Sequence, residues 1–329
     1  MKSILSILLF IFIIINLSAQ LTFDQKTTEK KVMTLLSKLD DAQRLITILD
    51  YGDDSRSHWS NLPMEEVNRK GMMVKDMNDA QRIALHDVLR NVLSQQGYQK
   101  ALFIMQYDEG THERLKKMFN PIANRYGRHN YWFAVYGEPI KDKTWAFKFE
   151  GHHLSLNFSF SEGLVICTPM FTGINPALSR SGENAGTHIM FDEQELGNQL
   201  FTSFSATQRK KSIVGNHPKD ADVKTKNGNE AHLFDKRGVL FTEMSSNQKL
   251  LVEKIIKSWV ENLNPILAQT YIQHILNNQD DIIFKWFGTE DINDLHYYAI
   301  QSDDFIIEFT HRDGGIDHYH TLWYGLTKK

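Results

Sequence analysis

Two stretches of alternating residues, 149–158 (FEGHHLSLNF) and 301–309 (QSDDFIIEF), read as degenerate copies of one strand. They sit inside longer segments, 137–158 and 288–309, that align without gaps. Gly137 falls on Gly288, Phe158 on Phe309, and just upstream Phe133 on Phe284. A second correspondence lies further toward the N-terminus, where 71–82 (GMMVKDMNDAQR) matches 238–249 (GVLFTEMSSNQK) and pairs Gly71 with Gly238, Met77 with Met244 and Gln81 with Gln248. Self-similarity of this kind constrains the fold more than local propensity does, because each copy must be one supersecondary unit. The expected fold is α+β: two similar helix-plus-sheet units, antiparallel or mixed, related by internal duplication and packed as one pseudo-symmetric globule.

The local patterns fill in that frame. Apolar residues at Val32, Leu35, Leu36, Leu39, Leu45, Ile46, Ile48 and Leu49 fit two opening helices with a break at Asp40-Asp41. The turn-rich segment 50–63, with Trp59 as its one large apolar anchor, reads as an ordered loop. Asn78-Asp79 caps a helix expected to run to Gln96 and stop at Gly97, and a further helical stretch spans 110–119. Aromatic and β-branched alternation then predicts strands at 131–136, 145–149, 154–160 and 164–168, the last two joined by a tight turn at Ser161-Glu162-Gly163. A helix over 192–204 follows, with Asp192 as its cap. The second unit repeats the order: a helix from Ser245-Ser246, another from Asn264-Pro265, strands at 282–287, 297–300, 305–310 and 317–323, and a hairpin turn at Asp313-Gly314-Gly315. The polar run 216–230 marks the connection, which places the first unit at 20–215, the link at 216–237 and the second unit at 238–329.

Lys2, an apolar run over 4–15 and the small-residue segment ending at Ala19 have the form of a secretory signal peptide, residues 1–19. The run is shorter than the ~20 residues a membrane-spanning helix needs. The expectation is an exported protein, periplasmic or extracellular, with no stable membrane span after cleavage. One cysteine, Cys167, leaves such a protein without an internal disulfide and dependent on its core. The formal charge of −3, with no long basic run, argues against nucleic acid as a partner.

Of fourteen histidines, His152, His153, His311, His318 and His320 fall in two short segments. Residues two apart on a strand share a face, so His318 and His320 project together, and a turn centred near Gly314 would set Glu308 opposite His320. Two imidazoles and a carboxylate suit zinc, iron or manganese. His152 and His153, as neighbours on a strand, would face opposite sides, so at most one joins a common site; Gly151 marks a bulge or close approach there. The site reading is therefore His318 and His320, with His152 or His153, as metal ligands, and Glu308 as ligand or general base. The alternative is that these side chains cap strand ends. Asn175 and Arg180, in the loops 172–176 and 179–182, are candidates to bind an anionic group, and Trp323 to bind a small ligand. No HExxH, phosphate-binding glycine loop, GxSxG or dinucleotide fingerprint occurs.

The segments WSNLP (59–63), MNDAQR (77–82), WAFKFEGHHLSLNF (145–158), TPMFTGINPA (168–177) and IIEFTHRDGGIDHYHTLW (306–323) resemble, in this order, the bacterial family catalogued as domain of unknown function 3500. The resemblance spans nearly all of the chain beyond residue 19 and implies an exported or periplasmic protein of no established activity. Family members commonly follow the terminal tryptophan with Arg-Asp; here Trp323 is followed by Tyr324-Gly325. The functional expectation is a metal-dependent hydrolase using a His/Glu site on the C-terminal hairpin. The alternative is a periplasmic small-ligand-binding or interaction protein without catalysis.

Overall fold

The computed structural model describes residues 22–180, 185–217, 222–225, 235–312 and 317–325. The expected signal peptide, most of the polar connection, the turn at Asp313-Gly314-Gly315 and the end of the 179–182 loop lie outside the described residues. In chain order the elements are α1 (Gln25–Leu36), α2 (Asp41–Thr47), β1 (Ile48–Leu49), β2 (Met72–Met73), α3 (Asp79–Val92), α4 (Gln95–Lys117), β3 (Tyr131–Tyr136), β4 (Trp145–Gly151), β5 (Leu154–Ser161), β6 (Leu164–Ile166), β7 (Met170–Ile174), α5 (Phe191–Ser203), α6 (Ala206–Ser212), β8 (Ile213–Gly215), β9 (Val239–Leu240), α7 (Ser246–Val260), α8 (Pro265–Asn277), β10 (Ile283–Phe287), β11 (Tyr297–Gln301), β12 (Phe305–Arg312) and β13 (His318–Gly325). The fold is α+β, as expected from the sequence.

Among the described residues the strands form one mixed sheet in the order β1-β3-β4-β5-β7-β13-β12-β11-β10-β8, with β2, β6 and β9 alongside β3, β5 and β10. The outermost pairs, β1 with β3 and β8 with β10, are parallel; the rest are antiparallel. From either edge inward the two halves present their strands in the same succession, and they meet where β7 pairs with β13. The helices keep the same relation: α1 packs on α3 as α5 packs on α7, and α2 leads into β1 as α6 leads into β8.

Local chemistry explains the helix starts. Asn78 and Ser245 each cap a helix through a box closed by Gln81 and Gln248, so orphan amide groups are satisfied from both sides. From there Ala84, Leu85, Val88, Leu89 and Val92 turn one stripe of α3 into the core, and Val252, Ile255, Ile256 and Trp259 do so on α7. One face of the sheet, with Phe133, Phe147, Phe149, Phe158, Phe284 and Phe309, packs on this helical layer. The opposite face is covered by chain segments outside the helices, among them Trp59, which stacks on Phe171 at 4.7 Å. Hence β3 and β4 are buried along nearly their whole length rather than half-exposed.

Two local expectations need correction. The helix beginning at Asp79 ends at Val92, and α4 is a single helix from Gln95 that carries Gly97 in its first turn. Gly97 is a packing residue instead of a stop, since a Cβ there would lie 2.0 Å from the Asn262 carbonyl oxygen. The loop expected at 172–176 is in its first part the end of the central strand β7, whose ladder is supplied on both sides by β5 and β13. No helix among the described residues is long and apolar enough to cross a membrane.

Candidate metal centre

The β4–β5 hairpin closes through a two-residue turn, His152-His153, because Gly151 pairs with Leu154. His153 holds φ at +59°, a left-handed conformation uncommon for a bulky residue and costing on the order of 1–2 kcal/mol. It is fixed there by two backbone bonds: its N–H donates to the Asn61 carbonyl (3.3 Å), and its carbonyl accepts from Gly173 N–H (2.7 Å). Across the seam, β13 presents His318 and His320 on one face, and His320 stands directly opposite Gly173 on β7. A Cβ on Gly173 would sit 2.8 Å from His320 Cδ2 and 2.9 Å from His153 Cδ2, so only glycine leaves room for both rings.

The result is a triangle of imidazole nitrogens. His318 Nε2 lies 2.9 Å from His320 Nε2 and 3.4 Å from His153 Nε2, and His320 Nε2 lies 3.1 Å from His153 Nε2. All three side chains are buried. Three ligands on a tetrahedral zinc ion with bonds of ~2.0–2.1 Å would stand about 3.3–3.4 Å apart, so the spacing is that of donors to one ion. Hydrogen bonds alone account for it poorly, because one proton cannot lie in line with two partners of a three-membered ring. The group is therefore compatible with holding a metal ion.

The surrounding side chains settle the tautomer of His320. Its Nδ1 is 2.8 Å from Asp222 Oδ1, which requires the proton on Nδ1 and turns the Nε2 lone pair toward the cluster. A carboxylate behind a ligating histidine is the usual outer partner in metal sites. Asp222 itself is braced by Asn61 Nδ2 at 3.0 Å and approached by Arg312 Nη1 at 3.6 Å. Burial drives the His153 imidazole well below the ordinary histidine range, with His152, His320 and His318 adding to the effect. Burial also lowers His320, against the raising pull of Asp222. Neutral rings with free lone pairs are the form that binds metal.

Glu308 stands opposite Leu322, and Thr310 opposite His320, so the partner of Glu308 lies two residues beyond the expected His320. The Glu308 carboxylate accepts from the backbone N–H groups of Lys224 and Thr225 and from the Thr225 hydroxyl. It thereby anchors the segment 222–225 that carries Asp222. His152, expected to share a strand with His153, is instead its turn neighbour. Its Nδ1 pairs with Asp108 Oδ1 at 2.6 Å, and its ring stacks on His153 with centroids 3.8 Å apart. Asp108 also accepts from Tyr131 Oη at 2.9 Å. His311, from the same pair of segments, contacts Tyr319 edge-on.

His152, His153, His318 and His320 line one cleft of about 250 Å³, together with Asn175, Asp108, Arg114 and Arg312. Arg180 is placed otherwise: its Nη1 bonds Asp317 Oδ1 at 3.0 Å and ties the 177–180 segment to the start of β13. Trp323 stacks on Phe305 and lines a separate apolar cleft of about 370 Å³ with Tyr271 and Leu164. Asp222, Asn61, Gly173, Asp108, Arg114 and Arg312 were not singled out by sequence reasoning. Asp222 lies in an ordinary-looking polar run, and Asp108 in a stretch between two segments read as separate helices.

Fold and cleft together define an α+β protein whose candidate metal centre is built across the seam between two halves of one sheet. The chain belongs to the family described as Protein of unknown function (DUF3500), which it matches over residues 24–327. No curated protein and no solved structure matches it.

Proposed function

We propose that the protein is a metal-dependent hydrolase in which His153, His318 and His320 hold one divalent ion, zinc by preference, at the inner end of the cleft. The observation that carries this reading is the mutual 2.9–3.4 Å spacing of three buried Nε2 atoms, one of them oriented by Asp222. Imidazole donors and a tetrahedral spacing favour zinc over manganese, which prefers oxygen. A zinc ion held by three neutral imidazoles keeps its full charge and a fourth position, the combination that polarises carbonyl or phosphoryl oxygens and activates water.

The remaining residues take supporting parts. Asp222 orients His320, Asn61 braces Asp222 and holds the His153 backbone, and Glu308 pins the 222–225 segment. Both Glu308 oxygens are occupied in that task, so this reading moves it from ligand or general base to anchor. His152, paired with Asp108 and stacked on His153, stands next to the centre without joining it. An exported location, with a small molecule as substrate, remains part of the proposal on the strength of the N-terminal sequence.

The test is elemental analysis of purified protein after equilibration with zinc, manganese or ferrous iron. One equivalent is expected in the wild type and in His152→Ala, and substoichiometric metal in His153→Ala, His318→Ala and His320→Ala. Equal metal content in all of these proteins would sink the site. Metal that binds as expected while no chromogenic ester, amide or phosphoester is turned over by the loaded protein would remove the hydrolase reading and leave a binding protein.

A further inference from the structure

The cleft around the candidate metal centre carries two guanidinium groups with donors to spare. Arg114, on the outward part of α4, has no hydrogen-bonded or ion-paired side-chain partner among the described residues, although it lines the same cleft as the histidines. Arg312, at the end of β12, reaches Asp222 only at 3.6 Å through Nη1, and its buried Nε has no partner among the described residues. Each acts on the cleft wall. The charge of Arg312 is felt by His153 and His320, and that of Arg114 by Tyr107 and Tyr126.

The negative groups nearby are already committed. Asp108 is taken by His152 and Tyr131, and Asp222 by His320 and Asn61. A metal held by neutral imidazoles would bring two further positive charges and no compensating anion. Positive charge gathered around a concavity focuses the field outward and concentrates anions, here from the buried histidines past the half-buried Arg312 to the exposed Arg114 at its mouth. A planar guanidinium also fits the two oxygens of a carboxylate or phosphoryl group better than it fits a neutral carbonyl. At about 250 Å³ the cleft is smaller than the ~300–1,000 Å³ usual for drug-sized ligands, so it takes a small molecule or the end of a larger one.

We infer that the substrate carries a terminal oxyanion, carboxylate or phosphoryl, which Arg114 and Arg312 receive within the histidine-lined cleft. This rests on the metal-centre reading for the reacting end of the substrate, while the anion seat itself belongs to the two arginines. Arg114 is the informative residue because it touches none of the metal-binding histidines in the described structure.

The experiment is calorimetric titration of zinc-loaded and metal-free protein with methylphosphonate, acetate and, as the uncharged counterpart, acetamide. Saturable binding is expected for at least one of the two anions, and which one binds tells a phosphoryl seat from a carboxylate seat. Acetamide should not bind. Arg114→Gln should weaken the anion by about tenfold or more, as for the loss of a charged hydrogen bond, with Arg114→Lys intermediate. Zinc content of each variant is measured in parallel. Unchanged anion affinity in a zinc-loaded Arg114→Gln protein, equal binding of acetate and acetamide, or no anion binding at all overturns the inference and leaves the metal centre standing. Arginine-dependent anion binding by a protein that takes up no metal would do the reverse.

Discussion

At the scale of single residues the chain concentrates buried imidazoles, and their titration is a property the fold imposes. His296 shows it apart from the metal site. Its ring lies on Trp286 with centroids 4.5 Å apart, Nδ1–H donates to the Asp294 carbonyl at 2.9 Å, and Nε2 is buried without a partner among the described residues. Burial pushes its pKa down to about 4. The sign follows from linkage: below an unfolded value near 6.5 the unfolded chain binds a proton that the folded ring refuses, so this contribution is complete above that pH and is lost as pH falls toward 4. The slope is about 1.4 kcal/mol per pH unit, with a ceiling of about 3 kcal/mol. Replacing His296 by Phe keeps the stack on Trp286 and removes the titration. Urea unfolding of the two proteins between pH 4 and 7 should therefore show a flatter acid limb for His296→Phe, by about one proton. Parallel limbs would mean that His296 is protonated in the fold. Residue-level sequence reasoning identified the histidine-rich segments and not their outer partners. His318 and His320 follow from strand alternation alone, whereas Asp222 reaches His320 only because Glu308, distant in sequence, fixes the backbone of 222–225.

Elements decide which histidine becomes the third member of the cluster. On a strand His152 and His153 would point to opposite faces. As the two residues of a tight turn they instead lie stacked, and the left-handed conformation of His153 aims its ring at β13. Nothing in the local sequence distinguishes these outcomes, because GHHL is neither of the turn dipeptides, Asn-Gly or Asp-Gly, that announce such a hairpin. The same holds for β7. A glycine and a proline make 172–176 read as a loop, yet its first residues belong to a central strand once β5 and β13 flank it, and the glycine is the residue that lets two imidazoles meet. Gly173→Ala therefore tests the element directly. The added methyl group forces the His153 and His320 rings to shift from their present positions while β7 keeps its ladder. Zinc affinity should fall about 10–100-fold, the range for disturbed supporting groups around a metal, with far-ultraviolet circular dichroism unchanged. Wild-type affinity in a folded Gly173→Ala protein would mean that the rings are not held against β7.

Across the whole molecule, the repeated order of strands and helices is the feature the sequence made most legible. The two halves of the sheet meet where β7 pairs with β13, and α5, α6 and β8 stand to the second half as α1, α2 and β1 stand to the first. One consequence is mechanical. His153 comes from one half and His318 and His320 from the other, and the seam they straddle is the β7–β13 pairing that makes the sheet continuous. A metal ion there would tie the halves together in addition to completing a site. Binding to the folded state alone stabilises by RT ln(1 + [L]/Kd), about 4 kcal/mol at a thousandfold excess over Kd, which for a chain of this size is on the order of 10 °C in Tm. Because the ion joins both halves, zinc should raise a single unfolding transition as a whole, seen identically by circular dichroism and by tryptophan fluorescence. His320→Ala should abolish the shift without splitting the transition. Two transitions in the wild type, with zinc moving only one, would show that the halves unfold separately and that the seam is weaker than the shared ladder implies.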